Sequence, residues 1–134
     1  MKMKKIPLGR YGSWALLALR LAVAAVFLYH GMQKWMFWTT TPAGMPQNMA
    51  DFFKFLSIVE PLGGLAVLLG FLTRWAALGL GIIMFGAICF KMSMGVPFAS
   101  STGVGWEFDL VLLASCVALV IYGGGEYALD KTRK

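Results

Sequence analysis

The sequence has 134 residues, of which 59% are hydrophobic and 13% are charged, and its formal net charge at pH 7 is +6. A water-soluble domain of this size could not bury so much apolar surface, whereas a lipid bilayer accepts it. The positive charge is scattered over short polar segments, which argues against the basic stripe of a nucleic-acid-binding protein. The composition therefore indicates an integral membrane protein without a nucleic-acid partner.

Four apolar segments predict four transmembrane helices, at about residues 13–37, 51–72, 75–94 and 106–123. An α-helix needs roughly 20 residues to cross the hydrocarbon core, and the dyad alternation of β-barrel strands is absent. The first segment is longer than the apolar core of a signal peptide, so we expect it to be retained. The short connections predict an all-α membrane protein with a single domain over residues 1–134, in which four transmembrane helices form an up-down bundle.

The distribution of basic residues predicts the orientation of this bundle. The loops Trp38–Asp51 and Gly95–Gly105 contain no Lys or Arg. The positive-inside rule then places both termini in the cytoplasm and these two loops outside. The basic residues on the predicted cytoplasmic side are Lys2, Lys4, Lys5, Arg10, Arg74, Lys131, Arg133 and Lys134.

Charged residues of the first helix form one stripe. At 100° per residue, Arg20, His30 and Lys34 share a face, which we expect to point into the bundle. Arg20 lies about 21 Å from Lys34 along the helix axis. It therefore belongs to the cytoplasmic end, where Glu126 or Asp130 could neutralise it. The outer end gathers the remaining polar groups of the predicted spans, namely His30, Lys34, Glu60, Lys91, Glu107 and Asp109.

This outer cluster has a structural interpretation. Lys34 and Glu60 could neutralise one another and fix the register of two helices, because buried ion pairs often serve specificity. Lys91 and Asp109 would then be interfacial residues whose charges reach the headgroups.

The same cluster has a functional interpretation, a polar pocket near the outer face that takes a lipid-soluble quinone. His30 or Lys34 would donate a hydrogen bond to one carbonyl, and Glu60 would move protons. Glu107 and Asp109 lie about 200° apart on a helix, so only one of them would face the pocket. The candidate pocket residues are His30, Lys34, Glu60, Glu107, Asp109 and Trp35, with further aromatic walls from Trp38, Phe52, Phe53 and Phe55.

Short motifs along the chain resemble those of the DoxX family, over about residues 13–130. They are Arg20, His30-Gly31-x-x-Lys34, Glu60 with Gly63-Gly64, Gly70-Phe71-Leu72-Thr73-Arg74, Gly123-x-Gly125 and Leu129-Asp130. The resemblance implies a multi-pass protein of the bacterial inner membrane, related to the small membrane subunits of a thiosulfate:quinone oxidoreductase. It implies at most a quinone-binding or non-catalytic subunit, working with a partner subunit or as a homo-oligomer.

The resemblance also carries over individual positions. The matched charged residues are Arg20, His30, Lys34, Glu60, Arg74 and Asp130. Of these, Arg20, Arg74 and Asp130, together with Glu126, are candidates for structural charge pairs at the cytoplasmic end.

The residue inventory restricts which cofactors this chain could hold alone. His30 is the single histidine, so one chain cannot supply two histidine ligands to a haem. A glycine-rich nucleotide fingerprint after a strand is absent, so no flavin is expected. Electrons would therefore pass through a quinone or a partner subunit.

Methionines near the outer end raise a different possibility. Thioether and imidazole ligands suit Cu(I), although methionine is also a common apolar filler. The candidate ligands are His30, Met32, Met36, Met92 and Met94. Further alternatives are a module that binds or transports a lipid or another small molecule, and a purely structural anchor for a partner.

Overall fold

The computed structural model describes residues 8–130, which form four α-helices and one short 3-10 helix without any β-strand. Helix α1 covers Arg10–Gln33 and continues into a 3-10 helix at Lys34–Trp38. Helices α2, α3 and α4 cover Gln47–Leu69, Thr73–Ser93 and Glu107–Tyr122. The prediction of an all-α protein with four helices is confirmed.

Three helical segments are long and apolar enough to cross a membrane. These are α1 with its 3-10 extension (29 residues), α2 (23 residues) and α3 (21 residues). Helix α4 has 16 residues, or about 24 Å at 1.5 Å per residue, against roughly 30 Å for the hydrocarbon core. The fourth crossing therefore stays a prediction.

The helices pack as two antiparallel pairs. Helix α1 lies against α2 and α3 lies against α4, and contacts between α2 and α3 and between α1 and α4 join the pairs. Their shared apolar core contains residues from all four helices: Leu16, Val23, Phe27, Val67, Ala77, Leu80, Met84, Leu112, Cys116 and Leu119.

Large apolar side chains cover the outside of the helices at mid-length. Leu62, Ile82, Phe85 and Val111 are each more than 60% exposed. An apolar surface over several neighbouring helices is what a lipid-facing protein presents. This exposure agrees with the composition and places the helices in a bilayer.

The two ends of the helix assembly differ in their polar contacts. At one end, Lys34 pairs with Glu60 and Lys91 pairs with Asp109; we call it the ion-pair end. At the other, Arg20 bonds to the residues that follow α4; we call it the arginine end.

Candidate functional site

A buried ion pair joins α1 to α2 at the ion-pair end. The Nζ of Lys34 lies 2.9 Å from Oε2 of Glu60, a residue that is 2% exposed. The Lys34 side chain retains 20% exposure, and its Nζ also lies 3.4 Å from the carbonyl oxygen of His30. The pair thus combines a carboxylate shut off from solvent with a lysine side chain that stays partly exposed.

The pair sits where α1 and α2 approach closely around a proline. Helix α2 continues through Pro61, the residue after Glu60. Opposite it lies Gly31 of α1, which is buried, and a Cβ atom at that position would overlap the Pro61 ring. The glycine therefore admits the proline and brings the backbone of Lys34 within reach of Glu60.

Two indole rings tie the 3-10 helix to one residue of α2. The Nε1 of Trp35 donates to the carbonyl oxygen of Ser57 at 3.0 Å, and the Nε1 of Trp38 donates to its hydroxyl at 2.9 Å. The hydroxyl in turn donates to the carbonyl of Lys54 at 2.5 Å. The donor of Trp35, predicted as a pocket wall, is therefore already bonded within the protein.

His30 links this region to α4. Its half-buried ring lies 5.8 Å, centroid to centroid, from the ring of Phe108 and equally far from that of Tyr29. Phe108 immediately precedes Asp109, so the histidine lies between the two helix pairs at the ion-pair end.

A second ion pair joins α3 to α4. The Nζ of Lys91 lies 2.6 Å from Oδ2 of Asp109, which is 6% exposed, whereas Glu107 is exposed. Of the two carboxylates at the start of α4, Asp109 is therefore the one that faces the interior. Lys91 is its partner.

Arg20 is satisfied by backbone carbonyls. It is 1% exposed and donates to Val67 and Leu68 at 2.9 and 2.7 Å, and to Gly124 and Tyr127 at 3.2 and 3.0 Å. The first two carbonyls end α2, where a cation is favoured. Within residues 8–130, no ion pair joins Arg20 to the expected carboxylates Glu126 and Asp130.

Asp130 instead caps α3. Its two carboxylate oxygens accept from the backbone amides of Leu72 and Thr73 at 2.7 and 2.8 Å. Its own amide donates to the carbonyl of Gly70 at 2.8 Å. The segment after α4 is thus fastened to the turn between α2 and α3, where Gly70 and Leu72 both adopt positive φ angles. The charge of Asp130 serves a helix N-terminus rather than a side-chain pair.

The other predicted charges of this end have fewer contacts. Arg74 lies against Gly123, and its buried Nη1 finds no hydrogen-bond partner within residues 8–130. Glu126 is exposed.

The predicted aromatic walls and methionines face outward. Trp38, Phe52 and Phe55 are each more than half exposed, and Phe53 stacks on Phe37 at 5.0 Å. The methionines among the copper candidates are also each more than half exposed, namely Met32, Met36, Met92 and Met94, whereas His30 is half-buried. In the described part of the chain, no three His, Cys, Asp or Glu residues are grouped to hold a metal.

A groove of about 310 Å³ lies elsewhere, between α3 and α4. Its walls are apolar and contain none of the predicted pocket residues. They are Ala77, Leu78, Gly81, Ile82, Phe85, Leu113, Cys116, Val117, Val120 and Ile121.

Helices of this length, an apolar exterior and buried ion pairs define a multi-pass helical membrane protein. Residues 15–93 match the sequence model of the DoxX family, so the protein belongs to the DoxX family.

Two curated relatives match most of the chain. An "Uncharacterized membrane protein" of Mycobacterium tuberculosis is 34% identical over 133 aligned positions, which cover 90% of this chain and 82% of the relative. A Bacillus subtilis protein named "Putative oxidoreductase CatD" is 29% identical over 119 positions, which cover 85% and 83%. No solved structure matches the chain.

Proposed function

We propose that this DoxX-family protein is a membrane subunit of an oxidoreductase and binds a quinone headgroup at the ion-pair end. The observation that carries the proposal is the pair of Lys34 and Glu60, in which the lysine side chain is partly exposed and the glutamate is buried. A quinone carbonyl accepts hydrogen bonds, and the ammonium has three donors, of which Glu60 takes one and the His30 carbonyl a second, longer one. His30 lies on the same side, one helical turn earlier.

The proposed division of labour follows from the chemistry. A quinone that becomes a quinol takes up electrons and an equal number of protons. Glu60 and Lys34 would exchange those protons with the headgroup, since they share a short hydrogen bond. The electrons would come from a partner subunit, because the single histidine of this chain cannot supply two ligands to a haem. The relative named as an oxidoreductase supports this class of function.

We further propose four membrane crossings with both termini in the cytoplasm of a bacterium. The segment after α4 bonds to the end of α2, through Leu129 to Leu69 and Asp130 to Gly70. Helix α4 begins at the opposite end, where Asp109 pairs with Lys91. Its ends therefore lie on opposite sides of the assembly, and polar flanks would complete the distance that its 16 residues leave.

The quinone proposal can be tested by native mass spectrometry of protein extracted gently from its own membrane. We expect a retained quinone in the wild type and its loss in Lys34→Met and Glu60→Gln. Glu107→Gln is the matched control, since that carboxylate is exposed at the same end. A wild type free of quinone, or variants that keep it, would leave the ion pair with its structural role alone.

A further inference from the structure

Helix α2 contains a carbonyl that its own helix cannot satisfy. In an α-helix, the carbonyl of Ser57 would accept from the amide of residue 61. That residue is Pro61, which has no N–H. Ser57 is 1% exposed, so water does not reach it freely, and an unsatisfied carbonyl within a membrane is costly.

The indole of Trp35 supplies the missing donor. Its Nε1 donates to the Ser57 carbonyl oxygen at 3.0 Å. Trp35 is itself 53% exposed, so this hydrogen bond is a specific polar contact between its ring and α2. Trp38 adds a second bond to the same residue, through the Ser57 hydroxyl.

These bonds fix the backbone from which Lys34 extends. Lys34 is the first residue of the 3-10 helix, and Trp35 is the next. A lysine side chain is long and flexible, so its ammonium stays over one carboxylate only where its backbone is held. Glu60, the carboxylate concerned, directly precedes Pro61 in α2. Lys34 therefore directly precedes the indole donor, and Glu60 directly precedes the proline that leaves the carbonyl free.

We propose that Trp35 is a positioning residue: its bond to the carbonyl that Pro61 leaves free holds the Lys34 ammonium on Glu60. The proposal rests on the proposed function in so far as these two groups meet the quinone. Trp35 then sets the ligand-binding geometry without touching the ligand.

The test measures how fast an amine-acylating reagent modifies Lys34 in the detergent-solubilised full chain, read by peptide mass spectrometry. Lys91 is the internal reference, because it is also ion-paired at the same end. Trp35→Phe keeps a ring and loses the donor, so we expect the modification of Lys34 relative to Lys91 to rise several-fold. Trp75→Phe is the matched control, an exposed tryptophan at the arginine end.

Pro61→Ala supplies the distinguishing variant. It returns an N–H that can bond the Ser57 carbonyl in place of the Trp35 indole. Pro61→Ala alone should therefore raise the rate of Lys34 modification, and adding Trp35→Phe should raise that rate no further. Additive effects, or wild-type modification in Trp35→Phe, would overturn the proposal. If Trp35→Phe fails to fold, the comparison of Pro61→Ala with the double variant carries the test alone.

This readout needs no quinone, so it separates the two proposals. Quinone-free wild type with a Lys34 response to Trp35→Phe would reject the proposed function and keep the positioning role. Quinone bound in wild type and retained in Trp35→Phe, with Lys34 unchanged, would reject the positioning role alone.

Discussion

Lys34 and Glu60 share one hydrogen bond but differ in their access to water. The lysine side chain is 20% exposed and the glutamate side chain 3%. A lysine that loses its partner can extend toward the headgroups along its flexible stem. A buried carboxylate has no such route, so removing the lysine leaves a charge without compensation.

This asymmetry predicts an order of stability. Lys34→Met should lower the free energy of unfolding by about 3 kcal/mol, and Glu60→Gln by about 1 kcal/mol, since an amide oxygen still accepts from the ammonium. Thermal unfolding in detergent measures both. Lys54→Met is the control, because its pair with Asp51 is 3.6 Å long and the Asp51 side chain is 60% exposed, and should change stability by at most about 0.5 kcal/mol. The reverse order would mean that Lys34 is the more deeply buried member.

Arg20 shows what one side chain can do for several backbone segments. Its planar guanidinium reaches carbonyls at the end of α2 and in the segment after α4. An ammonium is a compact point charge and cannot span that arrangement. We expect Arg20→Lys to destabilise the protein by about 3 kcal/mol, from lost charged hydrogen bonds.

Arg74→Lys provides the comparison for Arg20→Lys. The guanidinium of Arg74 donates no hydrogen bond within residues 8–130 and leaves Nη1 without a partner. Its replacement should therefore shift the thermal midpoint less. Equal shifts for the two variants would show that the carbonyl bonds of Arg20 contribute little.

At the scale of the element, the contact between α1 and α2 depends on one missing methyl group. Gly31→Ala should force the two helices apart at Pro61 and destabilise the fold by about 2 kcal/mol through overpacking. Gly79→Ala, on an open face of α3, should instead stabilise its helix by up to about 1 kcal/mol. Thermal unfolding distinguishes the two, and matched gains in both would contradict the close approach.

The sequence predicts these elements better than their contacts. Hydropathy predicts a helix at residues 75–94, and α3 covers Thr73–Ser93, since an apolar run ends where the membrane does. Hydropathy does not distinguish the 3-10 helix from the first predicted helix, because Lys34–Trp38 continues the same apolar run and makes a similar backbone turn.

For the site residues too, the sequence predicts the helix face better than the contacts made there. Helical phase places His30 and Lys34 on one face, but it leaves open whether Glu107 or Asp109 turns inward, which depends on how α4 is rotated against α3. The partners of Arg20 are backbone carbonyls, and every residue has one, so no side-chain pattern marks them. Pro61 in the sequence does predict a free carbonyl at Ser57. The donor to that carbonyl, the Trp35 indole, belongs to another helix, and tertiary packing brings it there.

At the scale of the whole molecule, the segment after α4 is bonded to the turn between α2 and α3. We therefore expect the two to lie on the same side of the membrane. Single cysteines at Phe71 and Glu126, both exposed, should react with an impermeant thiol reagent only after cells are opened. Cysteines at Ala43 and Ala99, in the other two loops, should react in intact cells. The background for these variants replaces the native Cys89 and Cys116.

The position that decides the fourth crossing is Glu126. Its labelling in intact cells, with Phe71 still protected, would place the end of α4 outside and leave three crossings. Joint protection of both positions would support the four-crossing topology.

The hydrogen bonds of Arg20 also depend on a part of the chain that is made much later than Arg20 itself. Arg20 lies in α1, which is made before α2, α3 and α4, yet two of its acceptors, at Gly124 and Tyr127, follow it by 104 and 107 residues. Until the ribosome reaches them, the guanidinium has only the carbonyls of α2 within the bilayer, where an incompletely satisfied charge is costly. A chain that stops before Gly124 would therefore keep an incompletely bonded charge in α1. The segment after α4 therefore completes the hydrogen bonds of a side chain in α1, and a chain that lacks this segment leaves Arg20 partly unsatisfied.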